Sequence, residues 1–174
     1  MKMNVQFFAE ARTNMVSLLD IGSLNGGSTP NIVELGDGFT EITEDWGPDV
    51  SSTQYINMDA KSSTVKGYAL SIKASREYIK GTVQTAMDTL FSTLPTGSKC
   101  ETFYYRFLKS NTTTTSGSTT GPCIKVPVIV APSSLGGSGG DVLVSELQIS
   151  GNGDVIPGTI TISSEGVYTF AATV

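Results

Sequence analysis

Glycine and proline punctuate this chain so closely that few stretches are left in which a helix could run. Of 174 residues, 19 are glycine and 7 proline. Glycine supplies positive φ, and proline fixes φ and removes a backbone donor, so both cut a chain into strand-length pieces. Residues 22–30, Gly36-Asp37-Gly38 and Gly47-Pro48 are such breaks. Between them lie short runs over residues 15–21, 32–35 and 51–58, the last carrying Thr53, Tyr55 and Ile56. Over 64–75 the alternation is plain: Tyr68, Leu70, Ile72 and Ala74 interleave with Ala69, Ser71, Lys73 and Ser75. Period two predicts a strand with one face buried and one wet.

Further strands are predicted over 101–108, aromatic on both faces, and over 123–130, with Ile124, Val126, Val128 and Val130 on one face. Pro127 inside the second argues for a sheet edge or a bulge. Residues 142–150, 159–163 and 167–173 complete the set. One segment has helical spacing: Val83, Met87, Leu90, Phe91 and Leu94 form a single stripe over 82–94, opened by Gly81-Thr82 and stopped by Pro95 and Gly97. The expectation is a mainly β fold, an antiparallel β-sandwich or barrel with one flanking α-helix.

The stretch LQISGNGDVIPGTITI (147–162) could be a phosphate-cradling loop or a chain reversal. No helix pattern and no Gly-Lys-Ser/Thr follows it, so the phosphate reading fails. Asn152-Gly153 instead reads as a type I′ hairpin turn.

Two polar tracts interrupt the strands. Residues 109–122, Thr/Ser/Gly-rich, cannot pack a core of their own and read as an extended flexible loop. Residues 135–140 read as a second flexible loop. Asn111-Thr-Thr matches a glycosylation sequon, but residues 1–12 are too polar-interrupted for a secretory signal, and no apolar run approaches the ~20 residues that cross a bilayer. No membrane partner is expected. Residues 1–15 are left as an N-terminal arm or a frayed terminus within one domain spanning 1–174.

The chain has no histidine, which removes the commonest general base and most zinc sites. Glu41, Glu44, Asp45 and Asp49 surround Trp46, but lack calcium-loop spacing, and nothing in sequence fixes a catalytic carboxylate separation. Phe103, Tyr104, Tyr105 and Phe107 could stack bases, yet an acidic chain without a basic stripe makes core packing the better reading. No catalytic residue, cofactor or metal is expected, and no enzyme. Cys100 and Cys123 are two reduced or buried thiols, with a disulfide left open.

Charge is segregated. Residues 13–60 hold eight carboxylates and no Lys or Arg, whereas 61–109 hold eight cations against three carboxylates. Such a surface suits meeting another copy's opposite surface, and equally suits acidic and basic segments neighbouring within one subunit. The candidate inter-subunit contacts are therefore the acidic turn, Glu44, Asp45, Trp46 and Asp49, and the polar tract, Asn111, Thr112, Thr113, Thr114 and Thr115. In the first, Trp46 would anchor and the carboxylates would meet another copy's basic segment; in the second, a neighbour would repay the ordering cost.

From Gly36 to Phe170 the chain resembles the major tail (tail tube) proteins of long, non-contractile-tailed bacteriophages (the siphophage type). The resemblance lies in the order of GDGFTEITEDWGPDVSSTQYINMDAKSSTVKGYALSIKASREYIKG, the short helix and the closing LQISGNGDVIPGTITI. It implies a virion structural protein, made in the host cytoplasm, whose sheet joins five other copies in a hexameric ring. Rings would stack into a tube around a tape-measure protein, bounded by tail terminator and distal tail proteins. Genomic DNA would pass through without specific binding, since an acidic lumen repels phosphates. The alternative from another class is a carbohydrate- or receptor-binding β-sandwich of a virion.

Overall fold

The computed structural model describes residues 11–173; most of the N-terminal segment expected over 1–15 lies outside the described residues. Twelve strands are seen among them: β1 (Met15–Asp20), β2 (Ile32–Glu34), β3 (Phe39–Asp45), β4 (Pro48–Thr53), β5 (Ser62–Tyr68), β6 (Ser71–Glu77), β7 (Glu101–Leu108), β8 (Thr113–Thr115), β9 (Ser118–Gly136), β10 (Val144–Gly151), β11 (Ile156–Ile162) and β12 (Tyr168–Ala172). One α-helix, α1 (Thr82–Thr93), lies between β6 and β7. All pairings are antiparallel. The fold is mainly antiparallel β with one flanking helix, as the sequence led one to expect.

The organising element is β9. On one side it pairs with β7 and then β8. On the other it pairs with β10 over residues 128–136 and with β11 over 119–125. The main sheet runs β2-β1-β7-β9-β10-β6-β3, with β12 attached through β11. Both faces of its centre are covered. Val126, Val128, Val130, Tyr104 and Leu19 join Ile72, Leu147, Ile149, Met87 and Leu90 in the larger core. Val16, Leu18, Tyr105, Phe107 and Cys123 join Ile160 in a smaller one, against which Phe170 packs. That explains why β7 is aromatic on both faces: each face fills a core. Cys100 and Cys123 are both free and buried.

The hairpin expected over 147–162 does not form. β10 and β11 never pair with each other; they follow one another along the same side of β9. A type I′ turn needs positive φ at both central residues, and Asn152 is not among the positive-φ positions. Residues 152–155 instead step the chain past Pro127, whose carbonyl accepts the Asn152 N–H at 2.8 Å. In a strand, one residue's N–H and C=O point to the same side. The donor that Pro127 lacks would thus have faced the seam between β10 and β11, not the β7 ladder. A proline is tolerated in this central strand because its partner changes there, which corrects the edge-strand expectation.

Three other expectations are revised. Residues 109–122 are not an extended loop: β8 folds back on β9 through Ser116-Gly117, at φ 51° and 81°, the left-handed pair a two-residue hairpin uses. The strand expected over 64–75 is two strands in different sheets, and Tyr68 is exposed rather than in line with buried Leu70, Ile72 and Ala74. The strand expected over 51–58 runs from Pro48 to Thr53.

Helix α1 buries Met87 and Leu90, half-buries Val83 and Phe91, and leaves Leu94 exposed. Leu94 drops from the stripe because it adopts φ 43° as the left-handed C-cap, its N–H bonded to the Leu90 carbonyl. The helix also buries Gln84, whose Oε1 accepts from Arg76 Nη1. Arg76, a buried cation, donates further to the carbonyls of Asp37 and Ile79, each at 3.0 Å. It thus fastens the turn before β3 and the link into α1 to one side chain.

Candidate assembly surfaces

The two sets of sequence-derived contact residues meet different fates. Glu44 and Trp46 belong to β3 and its end, not to a loop. The Glu44 side chain is only 7% exposed and lies 3.6 Å from Arg106 Nε. Tyr104 donates its hydroxyl to Glu44 Oε1 at 2.6 Å, with the Ser17 hydroxyl 2.9 Å away, and Trp46 Nε1 donates to Glu44 Oε2 at 3.3 Å. Burial, then the Glu44 charge, hold the Tyr104 phenol far above its ordinary range, so it remains a donor. Trp46 packs its ring against the larger core. This network ties β3, at the far edge of the sheet, back to β1 and β7. Part of the segregated charge therefore meets within the chain, through Arg106 and Glu44.

Asp45 and Asp49 remain exposed, as do Asn111, Thr113, Thr114 and Thr115, with Thr112 half-buried. Polar bonds already occupy part of the second group: Thr114 shares a 2.8 Å bond with Thr119, and Thr112 Oγ1 donates to the Lys109 carbonyl at 2.8 Å.

Sequence reasoning overlooked the β4–β5 hairpin. It forms a two-stranded sheet of its own, rooted where the Ala69 N–H reaches the carbonyls of Trp46 and Gly47. Val50, Tyr55, Met58, Val65 and Tyr68 are all exposed, and Ile56 at the tip is 110% exposed. An isolated two-stranded hairpin is marginal in water, and adjacent apolar side chains without cover mark an interaction surface. The signal was present in apolar Val50, Tyr55, Ile56 and Met58 set among polar residues, but a single sequence does not say whether such side chains meet their own core.

The edges of the main sheet also differ. The free edge β3 carries Glu41 and Asp45, charges that discourage pairing with another chain. Another free edge, β12, has no charged residue from Gly166 to Thr173. Gly158, on its partner β11, admits β12 closely: a Cβ there would sit 2.4 Å from the Phe170 ring and 2.4 Å from the Ala171 carbonyl oxygen.

Between β12 and β2 lies an open groove of about 730 Å³, its walls including Ile32, Val33 and Val167 and its floor Tyr105, Lys125 and Phe170. Tyr168 closes part of it by donating to Glu34 Oε2 at 3.1 Å. Burial, followed by the Glu34 charge, raises the Tyr168 phenol to about 12. Lys125 Nζ sits 3.6 Å from the centroid of Phe103, a cation–π contact. No group of three or more Cys, Asp or Glu suited to a metal ion occurs among the described residues, and no described helix is long and apolar enough to cross a membrane.

No protein-family model matches the sequence, and no curated protein matches it. Solved structures do match. A chain from the tail of an empty GTA particle, refined helically with C6 symmetry, superposes with a TM-score of 0.58 at 11% identity, covering 84% of this chain and 97% of that one. A chain from the virion of a native gene transfer agent (GTA) particle gives 0.57 at 10% identity, over 84% and 97%. One from the sheath–tube complex of an extracellular contractile injection system, PVC, in its extended state gives 0.50 at 11% identity, over 86% and 91%. At such identities the likeness is one of fold: this chain has the fold found in those tail and injection-system assemblies.

Proposed function

We propose that this chain is a structural subunit of a virion tail, of the siphophage kind, six copies closing into a ring and rings stacking into a tube. The observation that carries the reading is the β4–β5 hairpin, an apolar arm that the subunit's own core leaves uncovered. The fold is that of chains in tail particles, one of them with C6 symmetry. Both unmet surfaces, the arm and the uncharged β12 edge, lie on one chain and are not alike. Joining unlike surfaces gives a heterologous contact, which closes into rings or runs on as a tube. Asp45 and Asp49 at the root of the arm, and the Asn111–Thr115 row, are lesser contacts with neighbouring copies. Glu44 and Trp46 serve from beneath by fixing the root. In such a tail a tape-measure protein fills the lumen during assembly, terminator and distal tail proteins bound the tube, and DNA later passes through.

The carbohydrate-binding alternative would need exposed aromatic faces in the groove. Tyr105 there is only 3% exposed and the Tyr168 hydroxyl is engaged by Glu34, which favours assembly. The test is negative-stain microscopy of the purified protein at rising concentration, with a glycan array alongside. Rings or tubes support the proposal; a monodisperse monomer that captures a glycan replaces it.

A further inference from the structure

We infer that the groove between β2 and β12 is the receptor for the β4–β5 arm of a second copy. The inference rests on the tube reading and adds which surface accepts the arm. Two features select this occupant. The groove is open and lined mainly by apolar surface, while the arm presents Tyr55, Ile56 and Met58 at and beside its tip. Desolvating both surfaces at once removes the two apolar exposures together.

Charge agrees as well. Lys125 on the groove floor has aromatic rings, not a carboxylate, for partners among the described residues. Thr82, which also lines the groove, opens α1, a helix with no side-chain cap and no acidic residue in its first turn. Both features add positive potential to the groove, whose one lining carboxylate, Glu34, is held by Tyr168. The arm's connecting turn carries Asp59, one residue beyond Met58. A tip seated with its apolar side chains on the floor would bring this carboxylate to Lys125 and the helix start.

The test places a benzoylphenylalanine photo-cross-linker at position 167 on the groove wall and maps its adducts in assembled protein by mass spectrometry. Adducts between subunits at residues 54–59 are expected. Adducts to any other segment, the first ten residues included, overturn the inference while leaving tube formation standing. If the unsubstituted protein forms no assembly, both the inference and the tube reading fall. A charge exchange provides an independent check. Lys125→Glu and Asp59→Lys alone should each raise the protein concentration needed for assembly about tenfold, and together should restore it. Failure of the pair to rescue, with both variants folded, contradicts the pairing.

Discussion

Two hairpins leave the body of this molecule, and only one is completed by it. The threonine hairpin, β8 with the start of β9, is built of residues that cannot make a core, yet it lies in the main sheet, where β9 continues and β11 pairs on its far side. Main-chain bonds and a two-residue turn suffice to order it. The β4–β5 arm contains the apolar residues from which cores are made, but forms a separate sheet with its side chains in solvent. Polarity of a segment therefore does not decide whether it is finished within the subunit; attachment to the sheet does. On the proposed reading, the arm is the part that waits for a partner.

The sharpest way to break this comparison is to remove each hairpin in turn. Replacing residues 51–65 with a short turn should abolish rings and tubes in microscopy and leave the melting temperature within about 2 °C of the parent. Deleting residues 112–119 should do the reverse in emphasis: a loss of ~1–2 kcal/mol in denaturant titration, because β8 and one end of β9 lose their ladder, with assembly weakened but present. Loss of folding in the first variant, or loss of tubes only in the second, would invert the account.

Next in size are substitutions at the root of the arm, which belongs to the finished part. Glu44→Ala removes one partner each from the Tyr104 hydroxyl, Trp46 Nε1 and the partly exposed Arg106, and should cost about 2–3 kcal/mol in denaturant melts. Trp46→Ala, removing a half-buried ring, should cost about 2–3 kcal/mol. If either left stability unchanged, the Glu44 network would not be the tie between β3 and the sheet centre. Gly158→Ala comes next, at about 1–3 kcal/mol, since the added methyl must displace Phe170 or the β12 backbone. It should also disturb the groove wall.

The smallest effect concerns pH. Burial raises Tyr105 and Tyr168 to about 12 and the Cys123 thiol to about 11. Each is an acid whose folded pKa exceeds its unfolded value. Their stabilisation is complete below the unfolded values, near 9 for the thiol and 10 for the phenols, and is lost as pH rises through the folded ones. Melting temperature should be flat through neutrality on their account and fall above about pH 9 to 10. The arm-replaced protein should follow the same curve, because none of these groups lies in the arm.

How far the sequence could be read follows the same division. The helix was legible because Val83, Met87, Leu90 and Phe91 share a stripe. Gln84 was not, because it is buried by Arg76, whose position no local pattern gives. Asn152-Gly153 has hairpin chemistry, yet β9 is long enough to hold both flanking strands in succession, and that length is a tertiary fact. Ser116-Gly117 makes the two-residue turn instead, with a serine in the left-handed region where asparagine would have announced it. Around Trp46 the residues were noticed for the right chemical reasons, but a carboxylate's partner is set by the curl of the sheet. Tyr104 and Arg106 lie some sixty residues away along the chain. The arm itself was taken for an ordinary strand, because its apolar residues announce a strand and not what covers it.

The central claim is that residues 48–68 are unfinished in the single subunit and completed by another copy. Amide hydrogen exchange across this segment, compared between dilute monomer and assembled protein, tests it directly. In the monomer the arm should exchange far faster than β7 and β9, and on assembly its amides should become protected by two or more orders of magnitude while those of the threonine hairpin change little. Equal exchange of the arm in both states, with assembly verified in the same sample, would contradict it.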